Sequence, residues 1–425
     1  MILKPKQKGV MAIFIVILVM SLMFIIANTL SFMTFGQQKI SNIAVKLAQS
    51  YYLAESGIED ALLKLKINPF LGGTSYNLQI SGGSVFVSIT EVIGGARTII
   101  SQSNFLNSVK KIKVVYEVSK DEAGFFYGCQ VGDGGMEMGT NSRVKGNVFS
   151  NGSVIASQKG YIDNSLVVAN PGTKMKDLEV GDYALVHNCE NSTIGKTLTY
   201  IEGGSVSDCS AQNTMTQTDQ INPEPLPISQ EKINQWRDET SVNIITNDVN
   251  YSGSGNVFNL GPAQIGTLSS PKNLTVVNGA KITVRGTIYV TGDINFDNNA
   301  IIELDPMYGS YSGIVIADGK ITIGNNAILK GTGQQGSYLL LISTNSSLSS
   351  ASPAILVNNN AEGAIFYTNN GLIYLKNNMI AREITGYKVV LNNNAEVIYE
   401  SGLQNAIFSS GPGGGWKIKS WEETQ

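Results

Sequence analysis

The chain of 425 residues is long enough for two or three domains with a sizeable core. Only 15% of its residues are charged and its formal net charge is -3, which argues against a nucleic-acid-binding protein, because such proteins normally present a basic surface. Its 45 glycines, with abundant asparagine and serine, favour short strands joined by tight turns rather than a helical enzyme core.

The N-terminus joins a short basic segment to a long apolar one. Lys4, Lys6 and Lys8 precede the apolar run, and no charged residue occurs between Lys8 and Lys39. Such a run can span a bilayer, which requires about 20 apolar residues. The lysines before it predict a cytoplasmic N-terminus and an exported remainder. A cleaved secretory signal and an ordinary membrane anchor are the alternatives, but no small-residue cleavage site follows the run.

The helical pattern continues beyond the apolar run. Alternating steps of four and three residues define an apolar stripe, which consists of Ile40, Ala44, Leu47, Tyr51, Ala54, Ile58, Ala61 and Leu65. Gly57 lies within this pattern and permits a slight bend, and Pro69 ends the helix. We therefore predict one helix over residues 10–68, with a transmembrane half at about 10–35 and an amphipathic half that lies along a folded head.

These residues resemble a known family. Lys6-Gln7-Lys8-Gly9, followed by an apolar helix, resembles the class III leader of type IV prepilins. The stretch YYLAESGIEDALLKL resembles the corresponding part of PilX-type minor pilins. The resemblance implies that residues 1–9 are a leader, that prepilin peptidase cuts after Gly9, and that the new N-terminus, Val10, is methylated. It also implies four kinds of partner: other pilins or pseudopilins, the peptidase, an inner-membrane assembly platform and membrane lipid.

One position departs from the family pattern. Major pilins usually carry glutamate as the fifth mature residue, which pairs with the N-terminal amine of a neighbouring subunit, but Phe14 occupies that position here. A subunit without this carboxylate offers no buried partner to the amine of the subunit ahead. The departure therefore favours a minor, tip-located subunit of a cell-surface filament over a major one.

The sequence after the helix predicts β structure. Residues 69–120 contain four segments with alternating apolar and polar residues, separated by glycine and asparagine turns, which predict a small antiparallel sheet. Residues 121–220 form a first β-rich head segment. Residues 221–245 contain a proline-rich linker and a short helix capped by Ser229, which we interpret as a clasp between two parts of the head.

Residues 246–425 carry an internal repeat. Pairs of asparagines followed by a small or apolar residue recur at the edges of short strands, at Asn298-Asn299-Ala300, Asn325-Asn326-Ala327, Asn359-Asn360-Ala361, Asn377-Asn378-Met379 and Asn393-Asn394-Ala395. Asparagine tolerates the left-handed conformation that tight corners need. The repeat favours a parallel β-solenoid, with a β-sandwich as the alternative. The predicted fold class is therefore α+β, with a mainly-β head.

Few residues indicate a disulfide, a metal site or a cofactor site. Cys189 and Cys209 can form a disulfide if the head is exported, which leaves Cys129 free, but three buried thiols are an equal alternative. Oxygen ligands for calcium are densest at Asp293, Asp297, Glu303 and Asp305, in an order that does not match an EF-hand loop. The alternative is that these carboxylates serve turns or face solvent. We expect no metal and no cofactor.

The sequence leaves three candidate functions open. The first is a non-enzymatic pilus or pseudopilus subunit, anchored in the cytoplasmic membrane and then displayed on a surface filament for adhesion or partner contact. The second is a membrane-tethered carbohydrate-active solenoid enzyme, which would need paired carboxylates at a fixed separation. The third is a plain anchored surface protein.

Overall fold

The computed structural model describes residues 8–68, 71, 73–90, 96–118, 120–122, 125–359, 363–400, 402–403, 406–409 and 416–424. The chain divides into two compact units. The first comprises residues 1–91, 98–115 and 419–425, and the second comprises residues 92–97 and 116–418. The prediction of one long helix, a small antiparallel sheet and a mainly-β body is confirmed.

The first unit contains the long helix α1, Lys8–Ile67, and most of a five-stranded sheet. The strands follow the hydrogen-bonded order β1-β2-β3-β4-β37, and their bounds are β1 Thr74–Ile80, β2 Gly83–Ile89, β3 Ala96–Phe105, β4 Ser108–Val118 and β37 Trp416–Thr424. The last strand lies within residues 246–425, for which the sequence predicts a solenoid, but it pairs with β4. An ion pair between Lys110 and Glu423 joins the same two strands.

The second unit is mainly a stack of short parallel strands divided by a helix, with antiparallel pairing of residues 120–122 with 407–409 and of 266–267 with 270–271. Strands before the helix are β5 Lys120–Glu122, β6 Cys129–Met138, β7 Arg143–Lys145, β8 Val148–Ser150, β9 Val154–Ile162, β10 Leu166–Val168, β11 Lys174–Val180, β12 Tyr183–Val186, β13 Asn188–Glu190, β14 Thr193–Ile201, β15 Val206–Ser207 and β16 Ser210–Gln217. The helix α2 is Gln230–Asp238. We call residues 129–217 the first arm of the stack.

Strands after the helix are β17 Ile244–Ile245, β18 Val249–Ser252, β19 Val257–Leu260, β20 Ala263–Thr267, β21 Ser270–Pro271, β22 Leu274–Val277, β23 Lys281–Val284, β24 Ile288–Val290, β25 Ile294–Phe296, β26 Ile301–Leu304, β27 Gly313–Ala317, β28 Ile321–Ile323, β29 Ile328–Lys330, β30 Leu339–Ser343, β31 Ile355–Val357, β32 Ile365–Leu375, β33 Ile380–Ala381, β34 Glu383–Leu391, β35 Glu396–Ile398 and β36 Ile407–Ser409. A short 3₁₀ helix occupies Pro306–Tyr308. We call residues 244–398 the second arm.

The two arms are joined by strand pairing. The first strand of the first arm, β6, pairs in parallel with β34 at the end of the second arm, with Cys129 opposite Ile384 and Met138 opposite Leu391. On its other side β6 pairs in parallel with β8 and β9. The predicted division between a first β-rich segment and a separate repeat region therefore disappears, because both belong to one continuous stack.

The order along one side of this stack can be followed strand by strand. From one end it runs β16, β14, β12, β10, β8 and β6, crosses to β34, and continues through β32, β30, β27, β24 and β20 to β17. Every pairing in this series is parallel. The chain thus starts at β6 in the middle of the stack and runs outward to β16. It then continues through α2 to β17 at the other end and runs back to β34 in the middle.

Asparagines form the corners that the repeat predicts. Asn298, Asn299, Asn326, Asn378 and Asn394 have positive φ angles, between 49° and 64°, so their backbones are left-handed. The next residue in each repeat points into the core and is fully buried, as at Ala300, Ala327, Met379 and Ala395. Asn360 and Ala361 of one predicted repeat lie outside the described residues. In the first arm, Asn141 adopts the same conformation before the buried Ser142.

The segment between the arms acts as a strap on the outside of the stack. Asn151 exchanges two hydrogen bonds with the backbone of Glu224, at 2.9 and 3.0 Å, and Gln130 donates to the carbonyl of Pro225. Ser229 caps α2 by accepting a hydrogen bond from the Lys232 backbone N–H. We call residues 221–240 the strap.

Candidate functional site: the exposed apolar half of the long helix

The first half of α1 presents apolar side chains in every direction. Between Met11 and Phe35 the large apolar side chains are 43–76% exposed. The segment is long and apolar enough to cross a membrane by length and composition. At about 1.5 Å per residue it extends roughly 38 Å, which exceeds the bilayer core of about 30 Å. Exposed apolar area of this extent is costly in water, so the segment requires lipid or other apolar surfaces around it.

Four of the five polar side chains of this segment donate a hydrogen bond within the helix. Each bonds to a carbonyl three or four residues earlier, at 2.8–3.0 Å, namely Ser21 to Leu18, Asn28 to Phe24, Thr29 to Ile25 and Thr34 to Leu30. These hydrogen bonds lower the cost of transferring the helix into an apolar medium.

The second half of α1 packs on the sheet of its own unit. Burial begins at Ser50, whose hydroxyl lies 2.8 Å from that of Ser103 on β3, and continues through Leu53, Ala54, Gly57, Ile58, Ala61 and Leu65. The predicted stripe is correct from Ala54 onward. Its first positions, Ile40 and Ala44, are exposed, because the sheet covers the helix only from Ser50.

Gly57 brings the helix and the sheet close together. A Cβ atom at this position would lie 2.3 Å from Ser101 Oγ and 2.7 Å from Val85 Cγ1. Helix and strands therefore approach more closely than any side chain at position 57 would allow. Gly57 therefore serves the packing of the helix on the sheet.

Of the predicted leader, residues 1–9, the structure describes only the last two. Lys6 and Gln7 are outside the described residues, while Lys8, Gly9 and Val10 form the first helical turn. The side chain of Phe14 is 71% exposed. A carboxylate at position 14 would therefore stand on the same apolar exterior.

A hydrogen bond from Tyr76 of β1 to Asp60 links one edge of α1 to the sheet. Lys64 Nζ lies 2.6 Å from Asp60 Oδ2, and the Tyr76 hydroxyl donates to the same oxygen at 2.6 Å. Burial and the neighbouring Asp60 carboxylate raise the pKa of Tyr76. Burial alone would raise the pKa of Asp60, but the hydrogen bonds from Lys64 and Tyr76 lower it.

The cysteines occupy two different environments. Cys189 and Cys209 form a disulfide between neighbouring coils of the first arm. Cys129 is a buried free thiol in β6, and burial together with the nearby Glu383 carboxyl raises its pKa. The alternative of three buried thiols does not describe this structure.

The four carboxylates considered for calcium serve other partners. Asp293 accepts from the Lys320 backbone N–H and Asp297 from the Asn298 backbone N–H. Glu303 lies between Lys281 and Lys330, and Asp305 pairs with Arg285 at 2.9 Å. These contacts fix turns and link adjacent coils. Within the part of the chain that the structure describes, no group of three or more His, Cys, Asp or Glu side chains is placed to hold a metal.

Two features of the head were missed by sequence reasoning. One is the junction of the arms, where Lys145 pairs with Glu396 at 2.9 Å and Lys388 with Glu137 at 2.7 Å. The other is the contact between the stack and the strap, where the Tyr367 hydroxyl hydrogen-bonds to the backbone of Ile228. No local pattern marks these residues, because each pair is far apart in the sequence.

Comparison with known proteins gives little similarity. No family model matches the chain, and no curated protein matches it. Among solved structures, the competence-associated pilin ComZ from Thermus thermophilus aligns over 89% of this chain and 97% of its own, at 9% identity and a TM-score of 0.28. An ice binding protein from an Antarctic bacterium, Flavobacteriaceae, aligns over 64% and 81%, at 10% identity and a TM-score of 0.13. At TM-scores this low, neither similarity bears on the fold or function of this chain.

Proposed function

We propose that this chain is a minor subunit of a type IV pilus or related pseudopilus, held in the cytoplasmic membrane before assembly and carrying an exported β-rich head. One observation carries the proposal. A single uninterrupted helix, Lys8–Ile67, has an apolar, outward-facing first half and a second half packed on an antiparallel sheet. An anchor helix that merely held a protein in the membrane would not need to continue into the core of the exported body.

The start of the chain supports processing of this helix. The residues Lys8 and Gly9 lie directly before the exposed apolar segment, as in the prepilin leader that they resemble. In this proposal prepilin peptidase cuts after Gly9, Val10 is methylated, and the freed segment packs among the helices of other pilins. Phe14 leaves the subunit without the carboxylate that would accept the amine of the subunit ahead, which suits a place at the filament tip.

The head supports a role in contact rather than catalysis. We interpret the parallel stack as a β-solenoid, because sandwiches are built from antiparallel strands. The neighbouring carboxylates Glu303 and Asp305 are engaged in ion pairs with Lys281, Lys330 and Arg285 that tie coils together. The head therefore displays side chains on a rigid stack that is exposed to partners or surfaces.

The experiment expresses the full chain in cells that possess prepilin peptidase and determines the mature N-terminus by mass spectrometry. The parent protein should begin at a methylated Val10, and Gly9→Val should remain uncut because the peptidase cannot accept a side chain there. Gly36→Val is the matched control, since a side chain at position 36 meets nothing within 4 Å, and it should be processed normally. A parent protein that keeps Met1 in these cells would contradict the proposal.

A further inference from the structure

The free end of the first arm is an exposed strand edge. The last turn of the chain in this arm, which we call the last coil, consists of β15, Val206–Ser207, and β16, Ser210–Gln217. Within the described residues, β16 pairs only with β14 and β15 only with β13. The side chains from Gln212 to Thr216 are all exposed. A strand with one neighbour presents a row of backbone N–H and C=O groups on its other side.

The interior of this last coil is closed by polar residues. Opposite Leu198, which lies in the core, and the half-buried Tyr200 of β14 stand Thr214 and Thr216 of β16. A polar terminal coil keeps the apolar core from water without a covering helix or loop. The core is thus protected at this end, while the backbone edge stays open.

The strand β16 lacks the features that usually block strand addition. It is eight residues long and contains neither a charged residue nor proline. The opposite end of the stack is different, because β17 and β18 have only two and four residues. There the stacked rings of Tyr251 and Phe258, with centroids 4.1 Å apart, stand over the core. Of the two ends, the β16 end offers the longer edge for another strand.

The disulfide holds this edge in place. Cys209 directly precedes β16, and its bond to Cys189 ties the last coil to the preceding one. An edge coil with a single neighbour would otherwise fray more readily than the coils inside the stack. Fixing the strand in advance lowers the entropy that a partner must overcome on binding.

The charge around this edge selects the partner. Between Lys196 and Lys232 the chain has no Lys, Arg or His, but it has five carboxylates, at Glu202, Asp208, Asp219, Glu224 and Glu231. Three of them lie within or next to the last coil. A second copy pairing edge to edge would bring these like charges together, whereas a basic segment would be attracted.

We propose that the outer edge of β16 binds an extended, positively charged segment of another protein, which adds to the stack as a further strand. Backbone hydrogen bonds supply the pairing and the surrounding carboxylates supply the preference for Lys and Arg. This interaction does not rest on the pilin assignment, because it needs only the head.

The test uses the full chain in detergent micelles and a fluorescent peptide in which lysine alternates with valine. A matched peptide with glutamate in place of lysine is the control. We expect the lysine peptide to bind and to slow amide hydrogen exchange in Ser210–Gln217, with affinity that falls as salt rises. The glutamate peptide should bind at least about tenfold more weakly.

A pair of substitutions at one exposed position separates charge from shape. Met215 is 58% exposed on β16. Met215→Lys should weaken binding of the lysine peptide by about tenfold, as a repelling charge on the edge, while Met215→Glu should preserve or strengthen it. Equal binding of both peptides, equal binding to both variants, or binding without added protection of β16 would overturn the proposal. Dimerisation of the full chain through β16 would overturn it in favour of a second copy.

Discussion

The two arms of the stack share one strand geometry but differ in how their sheets are covered. In the second arm, β27 and β30 are buried at every position. In the first arm, β11 and β14 bury only some of their residues and leave the others half-buried or exposed. Both arms pack an apolar interior, so the difference arises on the outer face.

The strap explains the difference. Ile233 and Trp236 of α2 are buried in a second apolar cluster, outside the stack interior, with Ile314, Ile316, Leu340, Ile342 and Tyr367 of the second arm. Strands of a sheet that is covered on both faces have continuously apolar sequences, whereas strands of a sheet covered on one face alternate between apolar and polar residues. Hence the apolar strands GIVIA and LLLIS reflect α2 rather than a deeper position in the stack.

Removal of the covering side chain should have the largest effect. Trp236→Ala deletes a fully buried ring that contacts Phe408, and we expect a loss of about 3–5 kcal/mol in the free energy of unfolding. Denaturant unfolding of the full chain in detergent measures it. Gln235→Ala, on the exposed side of α2, is the control and should change stability by less than about 0.5 kcal/mol. Similar losses from both would show that α2 does not cover the second arm.

The interiors of the two arms can be compared by the same substitution. Leu341 lies in the second arm between two covered coils, and Leu198 lies in the first arm beside the terminal coil. Leu341→Ala should cost about 4 kcal/mol and Leu198→Ala about 2–3 kcal/mol, because the site near the open end can relax around the cavity. Unfolding free energies of the two variants test this, and a larger loss at Leu198 would reverse the comparison.

Opening the disulfide should affect the end of the first arm alone. Cys209→Ser removes the bond to Cys189, and we expect a local loss of about 2 kcal/mol. Amide hydrogen exchange should accelerate in β15 and β16 and remain unchanged in β27 and β30. Cys129→Ser makes the same substitution at a buried free thiol in the middle of the stack, breaks no disulfide, and should leave exchange in β15 and β16 unchanged. If exchange in β16 is unaffected by Cys209→Ser, the bond does not hold the edge.

The junction of the arms should give a pH-dependent effect. Glu383 is buried in β34, its Oε1 accepts a hydrogen bond from Thr385, and burial raises the pKa of its carboxyl well above the usual range. The folded protein therefore keeps this proton while the unfolded chain loses it above about pH 4.3. The unfolded state then binds fewer protons, so stability falls as pH rises, by up to about 1.4 kcal/mol per pH unit.

Glu383→Gln tests this sign. Glutamine keeps an acceptor for Thr385 but has no proton to lose, so the variant should gain stability relative to the parent as pH rises from about 5 to about 8. Glu396→Gln, at the half-exposed pair with Lys145, is the control and should not gain in this way. A difference between Glu383→Gln and the parent that is constant with pH would contradict the buried neutral carboxyl.

Local chemistry in the sequence determined much of this protein. The apolar run and the stripe from Ala54 to Leu65 specified the helix and the face that packs, because both depend on spacing along one segment. Alternation and turn residues specified the antiparallel strands of the first unit. Asparagines marked the corners of the stack, because few other residues accept a left-handed backbone.

Only the tertiary structure decided which coils are neighbours. Short strands with the same inward and outward alternation can stack in many orders, so the pairing of β6 with β34 has no signature in either segment. The same holds for the disulfide partner of Cys189, for the close approach at Gly57, and for the place of the strap on the second arm. Each depends on contacts between residues far apart in the chain, whose free energy is gained only when the whole stack is formed.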